Sequence, residues 1–90
     1  MASESPVPQQ PGGDVRALVE MIAKALVDEP GQVTVEAVPE NDSTVLELRV
    51  APGDVGKVIG KQGRTARAMR AIVGAAGMKM NRHYSLEILE

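Results

Sequence analysis

Apolar residues recur at helical spacing in two parts of the chain. The first part predicts a helix over residues 14–28, with Asp14 as its N-cap and Pro30-Gly31 ending it. The second part predicts a packed helix that Gly77 ends as a C′ glycine. The apolar positions behind these predictions are Val15, Leu18, Val19, Ile22 and Leu26 in the first helix and Met69, Ile72, Val73 and Ala76 in the second.

Alternation of apolar and polar residues predicts three β-strands. The first two, residues 33–38 and 44–50, are separated by turn residues at 39–43 and predict an antiparallel hairpin with a loop of about five residues. A third strand is predicted from about residue 80 onward. The residues expected to share one face are Leu46, Leu48 and Val50 in the second strand and Tyr84, Leu86 and Ile88 in the third.

A short helix is predicted between the second strand and the second long helix. Pro52-Gly53 ends the strand, Asp54 caps the helix over residues 54–59, and Val55, Val58 and Ile59 face inward. The order α-β-β-α-α-β predicts an α+β fold with one domain over residues 14–90. Residues 1–13 are rich in Pro, Gly, Ser and Gln, lack apolar periodicity, and are predicted to form a disordered N-terminal tail.

Composition narrows the possible functions. The 90 residues include no cysteine, and the single histidine, His83, has no second ligand candidate beside it, so neither a metal site nor a cofactor is predicted. No apolar run approaches the ~20 residues of a membrane span and no signal pattern is visible, which predicts a soluble cytoplasmic protein. Because no nucleophile–base pair or carboxylate dyad is visible, we predict neither an enzyme nor a small-molecule substrate.

The distribution of charge indicates a polyanionic partner although the net charge is −2. Residues 1–50 carry three cations against nine acids, whereas residues 51–83 carry seven cations against Asp54 alone. Such a basic block is typical of nucleic-acid or anionic-surface binding, and a solvated helix face is the interpretation that charge alone leaves open. The seven cations are Lys57, Lys61, Arg64, Arg67, Arg70, Lys79 and Arg82.

The basic block surrounds a glycine-rich segment, Gly60-Lys61-Gln62-Gly63. Glycine allows positive φ and close backbone approach, and a following helix N-terminus attracts anions. A P-loop does not fit, because three residues separate Gly56 from Gly60 and Gln62 stands where a Mg²⁺-ligating hydroxyl is needed. A dinucleotide fingerprint does not fit either, because Val58 stands at its first glycine. The remaining interpretation is the G-x-x-G loop of a K-homology (KH) domain, which clamps a nucleic-acid backbone.

Residues 14–90 resemble the KhpA family of small bacterial KH-domain RNA-binding proteins. The likeness is carried by residues 23–28 (AKALVD), 46–52 (LELRVAP) and 56–64 (GKVIGKQGR). The resemblance implies a single type II KH domain, in which a three-stranded sheet is packed on one face by three helices. It also implies a homodimer or a heterodimer with a KhpB-like (Jag/EloR) KH-domain protein, and roles as an RNA chaperone and post-transcriptional regulator in processes such as cell-envelope growth and cell shape.

The expected function is binding of single-stranded RNA. The backbone N–H groups of the glycine-rich segment and Lys61 are expected to contact phosphates, while arginines nearby supply a salt-dependent attraction. Val55, Val58 and Ile59 would form a floor for about four unpaired bases, although Val58 and Ile59 also fit a plain core role. The candidate RNA-binding residues are Gly60, Lys61, Gln62, Gly63, Arg64, Arg67, Lys57 and Ile59. The alternative is a dimerisation module that uses the KH fold for docking, with little RNA binding of its own.

Overall fold

The computed structural model describes the backbone of residues 13–89 and the side chains of residues 15–89. Its elements follow the predicted α-β-β-α-α-β order, which confirms the α+β class. They are α1 (Gly13–Leu26), β1 (Thr34–Glu40), β2 (Ser43–Arg49), α2 (Val55–Ile59), α3 (Arg64–Lys79) and β3 (His83–Leu89), with short 3-10 turns at Pro30–Gln32, Pro52–Asp54 and Lys61–Gly63. The predicted disordered tail, residues 1–13, lies outside the described residues except for Gly13, which is helical.

The strands form one mixed sheet in the order β1-β2-β3. β1 runs antiparallel to β2, as a hairpin requires, and β3 runs parallel to β2. A parallel neighbour needs a long crossover, which α2 and α3 together provide. The three helices cover one face of the sheet, as the resemblance to type II KH domains implies, and the opposite face is left open.

The β1–β2 hairpin is tighter than predicted. Only Asn41 and Asp42 separate the strands, so the expected loop over residues 39–43 is wrong. Asn41 has a φ of 53°, a conformation that Asn tolerates better than most residues. Pro39 lies within β1 opposite Thr44. In a two-residue hairpin this second pair is not hydrogen-bonded across the strands, so the missing N–H of proline faces the open edge and disturbs no ladder bond.

The core lies between the sheet and the helices. Leu46 and Leu48 are 0% exposed, which confirms the predicted alternation in β2. Tyr84 and Leu86 are buried in the same way on β3. One continuous apolar cluster joins these strands to all three helices. Its buried members are Val15, Val19, Ala23, Val33, Val35, Leu46, Leu48, Val50, Val58, Met69, Val73, Tyr84 and Leu86.

Helix α1 differs from the prediction at both ends. It already includes Gly13, so Asp14 lies inside the helix and its prediction as the N-cap is wrong. It ends at Leu26 instead of residue 28, and Leu26 is 39% exposed instead of packed. The buried residues of α1 recur at every fourth position, so the small residue Ala23 lies in the core. Its buried residues are Val15, Val19 and Ala23.

Helix α3 continues past Gly77, so the prediction of Gly77 as a C′ glycine is wrong. A Cβ at this position would lie 2.7 Å from the carbonyl oxygen of Arg82 and 2.9 Å from Cδ2 of Tyr84. Glycine is therefore needed for close packing of α3 against the start of β3. Because α3 is longer than predicted, β3 begins at His83 instead of near residue 80. Ile72, predicted on the packed face, is 43% exposed.

Candidate nucleic-acid interface

Residues 60–63, called the glycine turn below, separate α2 from α3 by a break in the helical backbone. Gly60 and Gly63 have φ angles of 80° and 73°, and Gln62 has a φ of 58°. The Gly60 N–H donates to the carbonyl oxygen of Gly56 at 2.8 Å, and the Gly63 N–H donates to that of Gly60 at 3.0 Å. The turn is thus held by its own backbone hydrogen bonds, and its tip projects only two side chains.

The two glycines of the turn are required for different reasons. A Cβ on Gly60 would overlap the side chain of Thr65 and would lie 2.9 Å from its backbone nitrogen. Gly60 also has φ 80° and ψ 170°, a combination that only glycine adopts readily. A Cβ on Gly63 would meet only Nη1 of Arg67, at 3.9 Å. Gly63 is therefore constrained by its left-handed backbone and not by its surroundings.

The start of α3 is favourable to an anion. Its N-cap is Gly63, which supplies no side-chain cap, and its first turn contains no acidic residue. A helix N-terminus carries a partial positive charge. Lys61 and Gln62 are exposed at the tip, and Arg64 is exposed on the first turn. Nη1 of Arg67 lies 3.9 Å from the position that a Cβ on Gly63 would occupy, so the guanidinium extends back toward the turn. The structure therefore brings six predicted site residues to this end of α3, namely Gly60, Lys61, Gln62, Gly63, Arg64 and Arg67.

Lys57 is not grouped with these cations. Its Nζ lies 3.3 Å from Oδ2 of Asp28 and 3.6 Å from Oδ1 of Asp54. The hydrogen bond to Asp28 and the charge of that carboxylate raise the pKa of Lys57 above its usual value. Asp54 was expected to cap α2, but its side chain makes no capping bond. Its Oδ2 instead accepts a hydrogen bond from the Glu29 N–H at 3.0 Å. Asp28 and Glu29 carry no pattern that associates them with α2, which follows more than twenty residues later.

The apolar floor predicted beside the turn is only partly available. Val58 is 0% exposed and belongs to the core, so it cannot contact a base. Val55 is half-buried and packs against the core. Ile59 is half-buried and directly precedes Gly60, which makes it the apolar residue of α2 closest to the turn in sequence. Thr65, which defines the space around Gly60, was not singled out by any sequence pattern.

Arg70 is tied to the sheet. Its Nε donates to the carbonyl oxygen of Leu86 at 3.3 Å. Leu46 and Ala37 form a non-hydrogen-bonded pair of the β1–β2 hairpin, so the N–H and C=O of Leu46 point toward β3. In a parallel pair only one of two paired residues bonds across, so Leu86, which is paired with Leu46, directs its N–H and C=O to the open edge. Arg70 therefore covers one outward carbonyl of an edge strand.

Beyond the end of α3, a shallow cavity of about 240 Å³ is lined by Met78, Asn81, Arg82 and His83.

The described residues contain no group of three or more His, Cys, Asp or Glu side chains placed to hold a metal ion. None of their helices combines the length and the apolar character needed to span a membrane.

Comparison with known proteins gives a consistent result. The family model described as "KhpA/KhpB, KH domain" matches residues 16–88. The RNA-binding protein KhpA of Clostridium perfringens is 52% identical over 75 residues, which cover 83% of this chain and 100% of that protein. The RNA-binding protein KhpA of Borreliella burgdorferi is 47% identical over 78 residues, which cover 87% of this chain and 95% of that protein.

A solved structure supports the fold. The crystal structure of Aquifex aeolicus Era bound to GDP.AlF4- matches with a TM-score of 0.57 at 18% sequence identity. The match covers 94% of this chain and 35% of that one, so this chain corresponds to about a third of Era. At this identity the likeness shows a shared fold alone.

Proposed function

This chain belongs to the KhpA/KhpB family of KH domains, and from that membership we propose that it binds single-stranded RNA through the glycine turn. RNA binding is the function that its relatives support, because proteins 52% and 47% identical to it are named RNA-binding proteins. Docking without RNA binding is not favoured. The observation that carries the proposal is an exposed cationic turn at a helix N-terminus that has no acidic residue in its first turn.

In this proposal the turn holds the RNA backbone. Phosphate oxygens lie against the N-terminus of α3, where Lys61 adds a positive charge and Gln62 donates to phosphate or sugar oxygens. Arg64 and Arg67 provide the electrostatic attraction that dominates affinity. Ile59 offers an apolar contact to the first base beside the turn. The glycines allow the RNA backbone to approach without a Cβ in the way.

Binding by one such domain should be weak and tolerant of sequence. The chain has no Phe or Trp and a single Tyr, which is buried, so no Phe, Tyr or Trp ring is available for base stacking. A weak, tolerant binder suits an RNA chaperone or post-transcriptional regulator better than a sequence-specific switch. We place this activity in the cytoplasm, together with its RNA ligands, and we assign the protein no catalytic step.

The test replaces the two tip residues and leaves both glycines in place. Lys61→Asp combined with Gln62→Asp should weaken binding of a short unstructured oligoribonucleotide by about tenfold or more, since two carboxylates then face the phosphates. Asp tolerates the positive φ at residue 62, so the fold should persist. Fluorescence anisotropy measures the affinity, and circular dichroism confirms the fold.

The chain offers a matched control at the other end of α3. Lys79→Asp combined with Asn81→Asp changes the net charge by the same amount, and residue 81 has a similar φ of 56°. This pair lies roughly 20 Å further along α3. The control should retain most of the affinity. Equal losses in both variants would show that net charge alone matters, and unchanged binding in the tip variant would exclude the glycine turn as the clamp.

We also propose that the chain pairs with a second KH domain, in a homodimer or with a KhpB-like (Jag/EloR) protein. The supporting observation is the outer surface of α3, where Ile72 is 43% and Met78 is 78% exposed. Exposed apolar residues that form a continuous patch mark interaction surfaces. Joining two weak RNA-binding domains would raise the overall affinity by avidity. Small exposed residues that complete this surface are Ala68, Ala71 and Ala75.

Sedimentation velocity tests the pairing. Ile72→Glu should shift the chain, or its mixture with a second KH protein, toward monomer. Leu26→Glu is the matched control, because Leu26 is 39% exposed but lies on α1. A wild-type chain that remains monomeric alone and in the mixture would exclude the pairing, and an equal response of both variants would exclude α3 as its surface.

A further inference from the structure

Asp54 is the one buried charged side chain among residues 15–89, with 2% of its surface exposed. It ends the 3-10 turn Pro52–Asp54 and directly precedes α2. One carboxylate oxygen accepts the Glu29 N–H at 3.0 Å, and the other lies 3.6 Å from Nζ of Lys57. Asp28 approaches the same ammonium at 3.3 Å. These contacts form a polar network between the α1–β1 connection and the first turn of α2.

The position of α2 bears directly on the glycine turn. Helix α2 has five residues and only Val58 fully buried, so apolar packing alone gives it little to hold its orientation. Gly60 follows immediately, and its N–H is bonded to the Gly56 carbonyl inside α2. Any rotation of α2 would therefore move the turn. An ionised carboxylate at 2% exposure is costly without partners, so the network restricts α2 to the orientation that keeps Asp54 paired.

We propose that Asp54 and Lys57 are positioning residues, which hold the glycine turn in its RNA-binding orientation, and that Lys57 acts through this network instead of through contact with phosphate. The inference rests on the proposed RNA-binding function. Two carboxylates already share the Lys57 ammonium and offset its positive charge, which leaves less of that charge to attract RNA. This separates Lys57 from Lys61, whose side chain is exposed at the tip of the turn.

The proposal predicts that Asp54→Asn weakens RNA binding, whereas net charge alone predicts that it strengthens RNA binding. Asp54→Asn removes a negative charge from a protein that binds a polyanion, and charge alone would strengthen RNA binding. The Asn oxygen can still accept the Glu29 N–H, but the amide no longer pairs with Lys57. We expect affinity for a short unstructured oligoribonucleotide to fall roughly threefold to tenfold. Asp42→Asn is the charge-matched control on the distant β1–β2 turn and should leave affinity unchanged or slightly raised.

A second measurement needs no RNA. Amide hydrogen exchange in Asp54→Asn should become faster at Gly60 and Gly63, while the central β2 amide of Leu46 keeps its protection. Lys57→Met should reproduce both effects, and combining it with Asp54→Asn should add little, because both act on one network. A general loss of stability would accelerate exchange at Leu46 as well.

The outcomes separate this inference from the function on which it rests. Unchanged exchange at Gly60 and Gly63, or tighter RNA binding by Asp54→Asn, would overturn the positioning role even if the turn binds RNA. Unchanged RNA binding in the Lys61 and Gln62 variant would overturn the function, while the exchange result would still report on the network. Additive losses from Asp54→Asn and Lys57→Met would assign Lys57 a separate contact and would also contradict the proposal.

Discussion

Gly60 and Gly63 occupy corresponding places at the two ends of the glycine turn, yet they are constrained differently. Gly60 combines φ 80° with ψ 170° and lies against Thr65, so both its backbone and its surroundings exclude a side chain. Gly63 has φ 73° and ψ 13°, and a Cβ there would make only an ordinary contact with Arg67, so only its backbone disfavours a side chain. The G-x-x-G motif treats the two positions as equal, but the structure does not.

This difference predicts unequal responses to substitution. Backbone strain alone should cost Gly60→Ala about 1–3 kcal/mol of unfolding free energy. The total loss should exceed this range, because the new Cβ also overlaps Thr65. Gly63→Asn should cost less than about 1 kcal/mol, since Asn tolerates left-handed backbone. Urea unfolding followed by circular dichroism measures both. Similar losses at the two positions would contradict the structural distinction.

At the scale of the elements, local sequence patterns predict the structure correctly wherever a residue's neighbours in sequence determine its surroundings. The alternation of Leu46 and Leu48 in β2 could be predicted because one sheet face is buried and the other is open. The G-x-x-G spacing likewise located the turn. Gly77 could not be interpreted in this way, because a glycine near a helix end looks the same whether it ends the helix or packs against Tyr84. The partners of Lys57 were also beyond prediction, because Asp28 reaches it only through the fold.

Two glycines of α3 test this interpretation of Gly77. A Cβ on Gly74 would have nothing within 4 Å, so Gly74→Ala should stabilise the protein by about 0.5–1 kcal/mol through helix propensity. Gly77→Ala gains the same propensity but places a methyl group 2.7 Å from the Arg82 carbonyl oxygen, and it should be destabilising overall. Thermal unfolding of the two variants measures the contrast. Stabilisation by both would show that the α3–β3 contact yields easily.

For the molecule as a whole, acidic residues are not confined to the helical layer that carries the glycine turn. The open face of the sheet carries Glu36, Glu47 and Glu87 in one row, because the register pairs Glu36 with Glu47 and Glu47 with Glu87. None of the ion pairs among the described residues involves them. Like charges directly opposite each other destabilise a sheet. The row therefore reduces stability, and it accounts for part of the net charge of −2 on a protein that we propose binds RNA.

Substitution of the glutamate row tests whether the net charge of the protein or the local charge at the glycine turn governs RNA binding. Replacing all three residues with Gln changes the net charge from −2 to +1. Relief of the repulsion should raise the free energy of unfolding by about 0.2–1 kcal/mol for each opposed pair. The helical layer alone is about 10 Å thick, which exceeds the ~8 Å Debye length at physiological salt. RNA affinity should therefore stay unchanged at physiological salt and rise modestly only at low ionic strength.

Lys61→Gln provides the comparison, because it changes the net charge by one unit and in the opposite direction. It should weaken RNA binding at both salt concentrations, since it removes a charge at the contact itself. Salt titrations of the anisotropy signal measure both variants against the wild-type chain. A large gain for the triple Gln variant at physiological salt, or no loss for Lys61→Gln, would mean that RNA responds to the total charge. The opposite result would mean that local charge governs binding. An acidic protein then binds a polyanion because its cations are clustered at one helix N-terminus, farther than a Debye length from the glutamate row.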